Sequence, residues 1–241
     1  MIPKVIHYCW FGGKPLPKSA LKCIESWKRY FPDYKIKEWN ETNYDISKIE
    51  YIKQAYQEKK YAFVSDYARF DILYHEGGIY FDTDVEVVRS FDDILAQGAF
   101  MGFEEDATLK KCGQVNPGLG MGVEPQNSLY KDILDYYRKQ SFYRDDGAIN
   151  TETVVTKITH VLQHYGLRNI EGIQWINGIG IYPKEYFNPK DSSSGRINKT
   201  KNTHSVHWYS SSWFSPSQRI RNLILSPIHY IVGGSLRKRH D

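Results

Sequence analysis

Gly77-Gly78-Ile79-Tyr80-Phe81-Asp82-Thr83-Asp84 is the stretch whose reading decides the fold. An apolar triplet between a glycine pair and two acids one residue apart reads as a short buried strand that stops at two carboxylates. Upstream, residues 62–75 carry Val64, Ala68 and Ile72 at helical spacing, and Gly77-Gly78 ends that helix because glycine takes the left-handed cap conformation. Ser65, Asp66 and Arg69 stand at i, i+1 and i+4, so they share about a third of the helix circumference. A helix and a strand joined by this turn bring a polar trio and two acids toward one end of a sheet. Open α/β sheets bind their ligands at the carboxyl ends of their strands.

Working outward, residues 2–10 read as a buried strand closed by Gly12-Gly13, and residues 19–30 as a helix with Leu21 and Ile24 at helical spacing and Pro32 beyond its end. Residues 34–39 predict a second strand, followed by the polar loop 40–43 and a helix over 47–59. This alternation over the first 90 residues predicts an open, mostly parallel α/β sheet. The second half is less regular. Residues 115–123 carry Gly118, Gly120 and Gly122 at alternate positions and read as a strand with one bare face. Residues 127–137 and 151–165 predict helices, and the polar run 191–203 a surface loop. There is no internal repeat and no convincing boundary before Ser215, so the expected organisation is one domain over 1–214 and a tail over 215–241.

Composition narrows the classes. With 241 residues, 41% hydrophobic and 25% charged, the chain can bury a core of normal size. It has no apolar run long enough for a transmembrane helix and no signal-peptide pattern, and Cys9, Cys23 and Cys112 form no CxxC pair. The expectation is a cytoplasmic protein with free thiols. The net charge of +4 lies in the tail, where Arg219, Arg221, Arg237, Lys238 and Arg239 face the single acid Asp241. A nucleic-acid binder puts its basic stripe on the folded body, so nucleic acid is not the expected partner. Residues 219–232 interleave basic and apolar side chains, a pattern that suits peripheral contact with an anionic membrane surface, or packing back on the domain.

Asp82 and Asp84 at a strand end form a hard oxygen site for Mn²⁺ or Mg²⁺, which would offset charge on a diphosphate leaving group. The alternative is a strand end with two solvated acids. Ser65-Asp66-x-x-Arg69 followed by Gly77 to Asp84 closely resembles the signature of the DXD-containing sugar-nucleotide transferases. That group includes capsular-polysaccharide enzymes, yeast initiating α-mannosyltransferases, lactosylceramide α-galactosyltransferases and the glucosylating domains of large clostridial toxins. Ile2-Pro3-Lys4-Val5-Ile6-His7-Tyr8-Cys9-Trp10 resembles the family's opening strand, and His207-Trp208-Tyr209-Ser210-Ser211-Ser212-Trp213 its closing segment.

The resemblance implies a nucleotide-sugar fold of the GT-A type, an open α/β sheet with a small accessory sheet, and a retaining, metal-dependent transfer of a hexose, of galactose or glucose type, from a UDP-sugar. The implied acceptor is a saccharide or a polyprenyl-diphosphate-linked saccharide in capsule or surface-polysaccharide assembly. Carried over, Trp10 stacks on the uracil, and Asp66 and Arg69 hold the donor sugar. Tyr80 and Asp82 contact the nucleotide, with Ser65 beside them. Asp82, Asp84, His207 and Ser212 surround the metal, and Trp213 reaches the diphosphate. Trp208 stands where many relatives have a second histidine, and Ser211 where glycine is common.

Other residues are weaker candidates. Asn116 precedes Pro117 and can hydrogen-bond a sugar or simply start a turn. Asn40, at a strand end, suits ribose or base, or its own loop. Glu104-Glu105-Asp106 reads as a solvated loop, and His160 and His164 as exposed helix histidines without the HExxH pattern of a zinc site. Two other classes compete. One is a haloacid-dehalogenase-type phosphatase with Asp82 as nucleophile, which leaves Asp66, Arg69 and the closing segment without a role. The other is a non-catalytic sugar-nucleotide or glycan-binding module.

Overall fold

The computed structural model describes residues 1–191 and 194–210, of which Met1–Trp208 form one unit. Ser212, Trp213 and the 215–241 tail lie outside the described residues. The chain runs β1 (Val5–Cys9), α1 (Lys18–Tyr30), β2 (Lys35–Trp39), α2 (Glu50–Gln57), α3 (Tyr61–Glu76), β3 (Gly78–Tyr80), β4 (Val85–Val87), α4 (Asp92–Leu95), β5 (Ala99–Glu105), β6 (Gln114–Val115), β7 (Met121–Val123), α5 (Ser128–Arg138), α6 (Val154–His164), β8 (Gln174–Ile176), β9 (Ile179–Tyr182), α7 (Lys184–Phe187) and β10 (Ser205–His207).

The main sheet has the order β2-β1-β3-β7-β5-β9-β8, with β6 paired to β5, and β4 and β10 form a separate two-stranded sheet. Where strands and helices alternate in sequence, β1 pairs in parallel with both β2 and β3. Beyond β3 the sheet is mixed: β7 lies antiparallel between β3 and β5, and β5 is again parallel to β9. The strands β1, β2, β3, β5 and β9 therefore point one way, and β7 enters at the edge where they leave. An α/β sheet with a small accessory sheet is the architecture the resemblance implied under the name GT-A.

Two apolar layers sandwich the sheet. On one face α2, α3, α5 and α6 bury residues such as Tyr51, Tyr67, Phe70, Tyr130 and Ile158; on the other, α1, α4, α7 and β4 bury Trp27, Phe81, Phe91 and Phe187. Helix α3 is central: every residue from Asp66 to Leu73 is buried, as expected of a helix covered on all sides. Its polar residues Asp66, Arg69 and Asp71 must therefore find partners inside the protein.

Two devices fix the strand ends. His7 on β1 takes the Trp39 Nε1–H on its Nδ1 at 3.0 Å and stands 3.0 Å from the Gly77 carbonyl through Nε2, tying β1, β2 and the glycine turn together. Burial lowers its pKa to about 4, so this imidazole is neutral. A Cβ on Gly78, whose φ is +101°, would lie 2.7 Å from the Val5 carbonyl, so the turn demands glycine. On the other face, Trp27 of α1 donates through Nε1 to the Val85 carbonyl at 2.7 Å, and Ser26 Oγ accepts the Val87 N–H at 2.9 Å. Helix α1 thereby holds β4, the strand that follows Asp84.

The run 115–123 corrects the expectation of a single strand. Asn116 caps a tight 3₁₀ turn over Pro117–Leu119, its Oδ1 accepting the Gly118 N–H at 2.7 Å, and Gly120 at φ +135° turns the chain into β7. Proline without an N–H suits the first position of such a turn, and an Asn cap outweighs alternation. No helix among the described residues is long and apolar enough to cross a membrane.

Candidate active site

The acids of the Asp82-Thr83-Asp84 triplet leave the end of β3 on different errands. Asp82 meets the polar residues of α3: Arg69 Nη2 lies 3.3 Å from Asp82 Oδ1 and 3.0 Å from Asp66 Oδ1, and the Tyr80 hydroxyl donates to Asp82 Oδ1 at 3.1 Å. The Arg69 guanidinium also lies over the Tyr80 ring, 5.0 Å from its centroid. It is held further by its Nε–H, which donates to the Ser65 carbonyl at 3.1 Å. Burial opposes the charge on Arg69, and Asp82, Tyr80 and Asp66 outweigh it, so its pKa is raised. Burial raises Asp66 to about 6, Arg69 pulls against this, and Asp82 adds to it. A carboxylate so poorly solvated is a strong acceptor for ligand hydroxyl groups.

Asp84 turns toward the accessory sheet. Strand β10 runs antiparallel to β4 with His207 opposite Val85, and the Trp208 N–H donates to the Asp84 carbonyl at 3.0 Å. His207 Nε2 thereby lies 3.2 Å from Asp84 Oδ1 and 3.8 Å from Asp82 Oδ2. Burial alone would lower the His207 pKa; the Asp84 and Asp82 carboxylates reverse this and hold it at about 9. One ligand atom from each of Asp82, Asp84 and His207 lies within 4.8 Å of the others. Two carboxylates and an imidazole are a donor set for a divalent cation. The residues present therefore fit the metal that the Asp-x-Asp triplet implied.

The remaining candidates divide. Trp10 directly follows β1 and is partly buried; its backbone N–H donates to the Trp39 carbonyl and its Nε1–H to the Lys14 carbonyl at 2.5 Å. Asn116 lies at the same sheet edge, its amide engaged by Gly118 and by Glu104 Oε2 at 2.5 Å. Asn40 spends its side chain on its own loop and on β2, accepting from the Thr42 N–H at 2.9 Å and donating to Glu38 at 2.8 Å. Ser65 back-bonds to the Tyr61 carbonyl at 3.1 Å within α3. The structure thus gathers Asp66, Arg69, Tyr80, Asp82, Asp84 and His207 into one cluster and sets Trp10, Asn40 and Asn116 along its rim. Cys9 is buried nearby, and burial pushes its thiol up to about 12, so it is no nucleophile.

Several residues escaped sequence reasoning. Gly118 approaches so closely that a Cβ there would lie 2.1 Å from Asp82 Oδ2, and only its place in an alternating glycine run hinted at this. Glu104 and Glu105 belong to β5 and not to a loop, which corrects the solvated-loop expectation for the 104–106 run. Lys157 of α6 is fully buried, its Nζ donating to the Glu152 carbonyl at 2.6 Å and lying over the Tyr51 ring. His160 and His164 are exposed, as expected, and His164 Nδ1 stands 2.8 Å from the His160 carbonyl.

Comparison with known proteins agrees with the triplet. Residues 17–101 match the family described as a glycosyltransferase sugar-binding region containing a DXD motif. A glycosyltransferase of Acanthamoeba polyphaga mimivirus, L373, is 28% identical over 203 residues, covering 79% of this chain and 77% of that protein. The inositol phosphoceramide mannosyltransferase 1 of Schizosaccharomyces pombe is 29% identical over 111 residues, 42% of this chain and 33% of that one. Mannosyl phosphorylinositol ceramide synthase SUR1 of Saccharomyces cerevisiae is 33% identical over 109 residues, 42% of this chain and 27% of its own length. Among solved structures, a glycosyltransferase involved in glycosylation of the major capsid of PBCV-1 superposes with a TM-score of 0.49 at 12% identity over 91% of this chain and 98% of that one. At that score the topology described above, not the superposition, carries the fold.

Proposed function

We propose that this chain, which carries the DXD-containing sugar-binding region of glycosyltransferases, transfers a hexose from a UDP-sugar to a saccharide hydroxyl with retention at the anomeric carbon. One observation carries the reading: Arg69 bridges Asp66 to Asp82 while Asp84 and His207 close the other side, at the carboxyl end of β3. Asp66 and Arg69, fixed on a buried helix, suit the donor sugar; one accepts hydroxyl protons and the other donates. Trp10, at the end of β1, offers an aromatic face to the base.

Asp82, Asp84 and His207 would hold Mn²⁺ or Mg²⁺, with Ser212 and Trp213 as further ligands of metal and diphosphate from beyond the described residues. A cation held there would offset charge developing on the leaving diphosphate. The phosphatase alternative asks Asp82 to be a nucleophile, and its oxygens are already engaged by Arg69, Tyr80 and His207. The reading extends to a cytoplasmic enzyme of capsule or other surface-polysaccharide assembly, its acceptor an oligosaccharide or polyprenyl-diphosphate-linked saccharide, with peripheral membrane contact as one of the two roles that the sequence of the basic tail allows, packing on the domain being the other.

The test is a donor panel. With Mn²⁺, hydrolysis or transfer from UDP-galactose or UDP-glucose is the expected result, abolished by chelation and restored by Mn²⁺. One yeast relative is named a mannosyltransferase and another a mannosyl phosphorylinositol ceramide synthase, so GDP-mannose belongs in the panel. Turnover of GDP-mannose with every UDP-hexose inert would overturn the nucleotide assignment. Hydrolysis of an aryl phosphate alone would overturn the transferase.

A further inference from the structure

The acids at the end of β5 differ in what they hold. Lys184 takes two of them, its Nζ pairing with Glu105 at 3.0 Å and its backbone N–H donating to Asp106 at 2.6 Å. The Glu104 backbone is fixed too, since its carbonyl accepts from Asn188 Nδ2 at 3.3 Å. Its side chain points to a different task. Glu104 Oε2 accepts Asn116 Nδ2–H at 2.5 Å, Asn116 Oδ1 accepts the Gly118 N–H at 2.7 Å, and the Gly118 carbonyl accepts the Asp82 N–H at 3.2 Å. The Gly118 backbone then lies so close to Asp82 Oδ2 that no side chain fits between them. These contacts form a series from β5, through the Asn116–Gly118 turn, to a carboxylate of the proposed metal site.

An asparagine amide is nearly symmetric in shape and can present oxygen or nitrogen to either neighbour. A carboxylate accepts and a backbone N–H only donates, so Glu104 and the Gly118 N–H together hold one orientation, Nδ2 toward Glu104 and Oδ1 toward Gly118, and Glu104 is the side chain that anchors it from β5. That orientation is the one that caps the 3₁₀ turn. We infer that Glu104 is a positioning residue, which orients Asn116, sets the Asn116–Gly118 turn against Asp82 and thereby aims that carboxylate. The inference rests on the reading of the Asp82–Asp84–His207 cluster as a metal-dependent transferase centre. Outer partners that orient metal-side ligands change affinity or activity by about 10–100-fold when removed.

The experiment compares wild type, Glu104→Ala, Glu104→Gln and Asp84→Ala. It measures melting temperature, Mn²⁺ binding in the presence of UDP by the EPR signal of free Mn²⁺, and kcat/KM for the active donor. Glu104→Ala is expected to weaken Mn²⁺ binding and lower kcat/KM by about 10–100-fold, with a melting temperature within about 4 °C of wild type. Glu104→Gln, which keeps an acceptor oxygen, should recover most of the loss. Wild-type Mn²⁺ affinity and kcat/KM in Glu104→Ala, beside an Asp84→Ala that has lost both, would overturn the inference and spare the site. If Asp84→Ala kept both as well, the site reading would fall and take this inference with it. Should Glu104→Ala not fold, Asn116→Asp sets two carboxylates against each other at the same link, and wild-type Mn²⁺ affinity there would be equally decisive against it.

Discussion

The wall that carries Asp66, Arg69, Tyr80 and Asp82 and the wall that carries Asp84 and His207 are built in opposite ways. The first comes from one contiguous helix, glycine turn and strand, and Arg69 pairs with both of its carboxylates, offsetting one of their two charges. The second is assembled across the chain: α1 holds β4 through Trp27 and Ser26, and β10 returns late in sequence to set His207 against Asp84. Trp208 ties the same pair by donating to Glu86 from 122 positions away. In the first wall the buried carboxylate already has a cation. In the second the balancing charge is a proton on His207, which a metal can replace. One wall thus carries a fixed guanidinium that can donate to a ligand, and the other balances its acid with an exchangeable proton, which under the proposed function a divalent cation would replace.

Breaking the second wall should have the largest effect. In the proposed reaction Asp84→Ala removes a carboxylate from where leaving-group charge would develop, and losing one such stabiliser costs roughly 2.7–4 kcal/mol of barrier, or about 10²–10³ in turnover. Asp84 is half-buried at a strand end and outside both apolar layers, so the fold should survive. Donor turnover in saturating Mn²⁺, with circular dichroism to confirm folding, checks this. Near-normal turnover would mean that the chemistry lies elsewhere.

A smaller effect is expected from Gly118→Ala, which acts on the junction of the two walls. The new methyl group would meet Asp82 Oδ2 and Asn116 Oδ1, both ends of side chains, so the carboxylate is pushed aside while the turn persists. Overpacking of this kind costs about 1–3 kcal/mol. Loss of donor turnover by about tenfold to a hundredfold, by analogy with displaced metal-side partners, should accompany a modest drop in melting temperature. Unchanged turnover would show that Asp82 tolerates displacement and that the turn does not aim it.

The same contrast explains what was legible in the sequence. The first wall obeys local rules: helical spacing through Val64, Ala68 and Ile72, a stop at Gly77-Gly78, an apolar triplet and two acids. Strands β1 and β2 follow from equally local signals. The second wall does not. Strand β10 is three residues long, Ser205–His207, and has no alternation to betray it, so His207 was reached through resemblance to a closing segment and not through pattern. Residues 115–123 misled because alternating glycines imitate a strand, whereas Asn116-Pro117 begins a turn and Gly120 ends it. Three consecutive acids look hydrated, which predicts a solvated loop at Glu104, whereas Glu104 lies in β5. Its partner, Asn116, lies on another segment, and only the pairing of β5 with β6 brings the two together.

The smallest expected effect is on stability, and it isolates the proton that balances the second wall. His207 has a folded pKa of about 9 against an ordinary 6.5, because Asp84 and Asp82 outweigh its burial. A pKa raised in the folded state contributes stability that is complete below about pH 6.5 and is lost as pH climbs through about 9. The metal-free protein should therefore weaken between pH 7 and 9.5, by an amount of the order of 1–3 kcal/mol. At this chain length that is a fall in melting temperature of roughly 3–10 °C. His7 and His204, whose burial lowers their pKa values, are already neutral in that range. Lys157, also lowered by burial, adds a slope of the opposite sign toward high pH, so the informative quantity is wild type minus His207→Gln. That difference should shrink as pH rises and vanish near pH 9.5. Mn²⁺ should reverse the trend, because ligation needs the neutral imidazole and metal therefore stabilises more as protons become scarce. Parallel melting curves for wild type and His207→Gln across the whole range would show that the two carboxylates do not hold a proton on His207. The second wall would then need a different account of its charge.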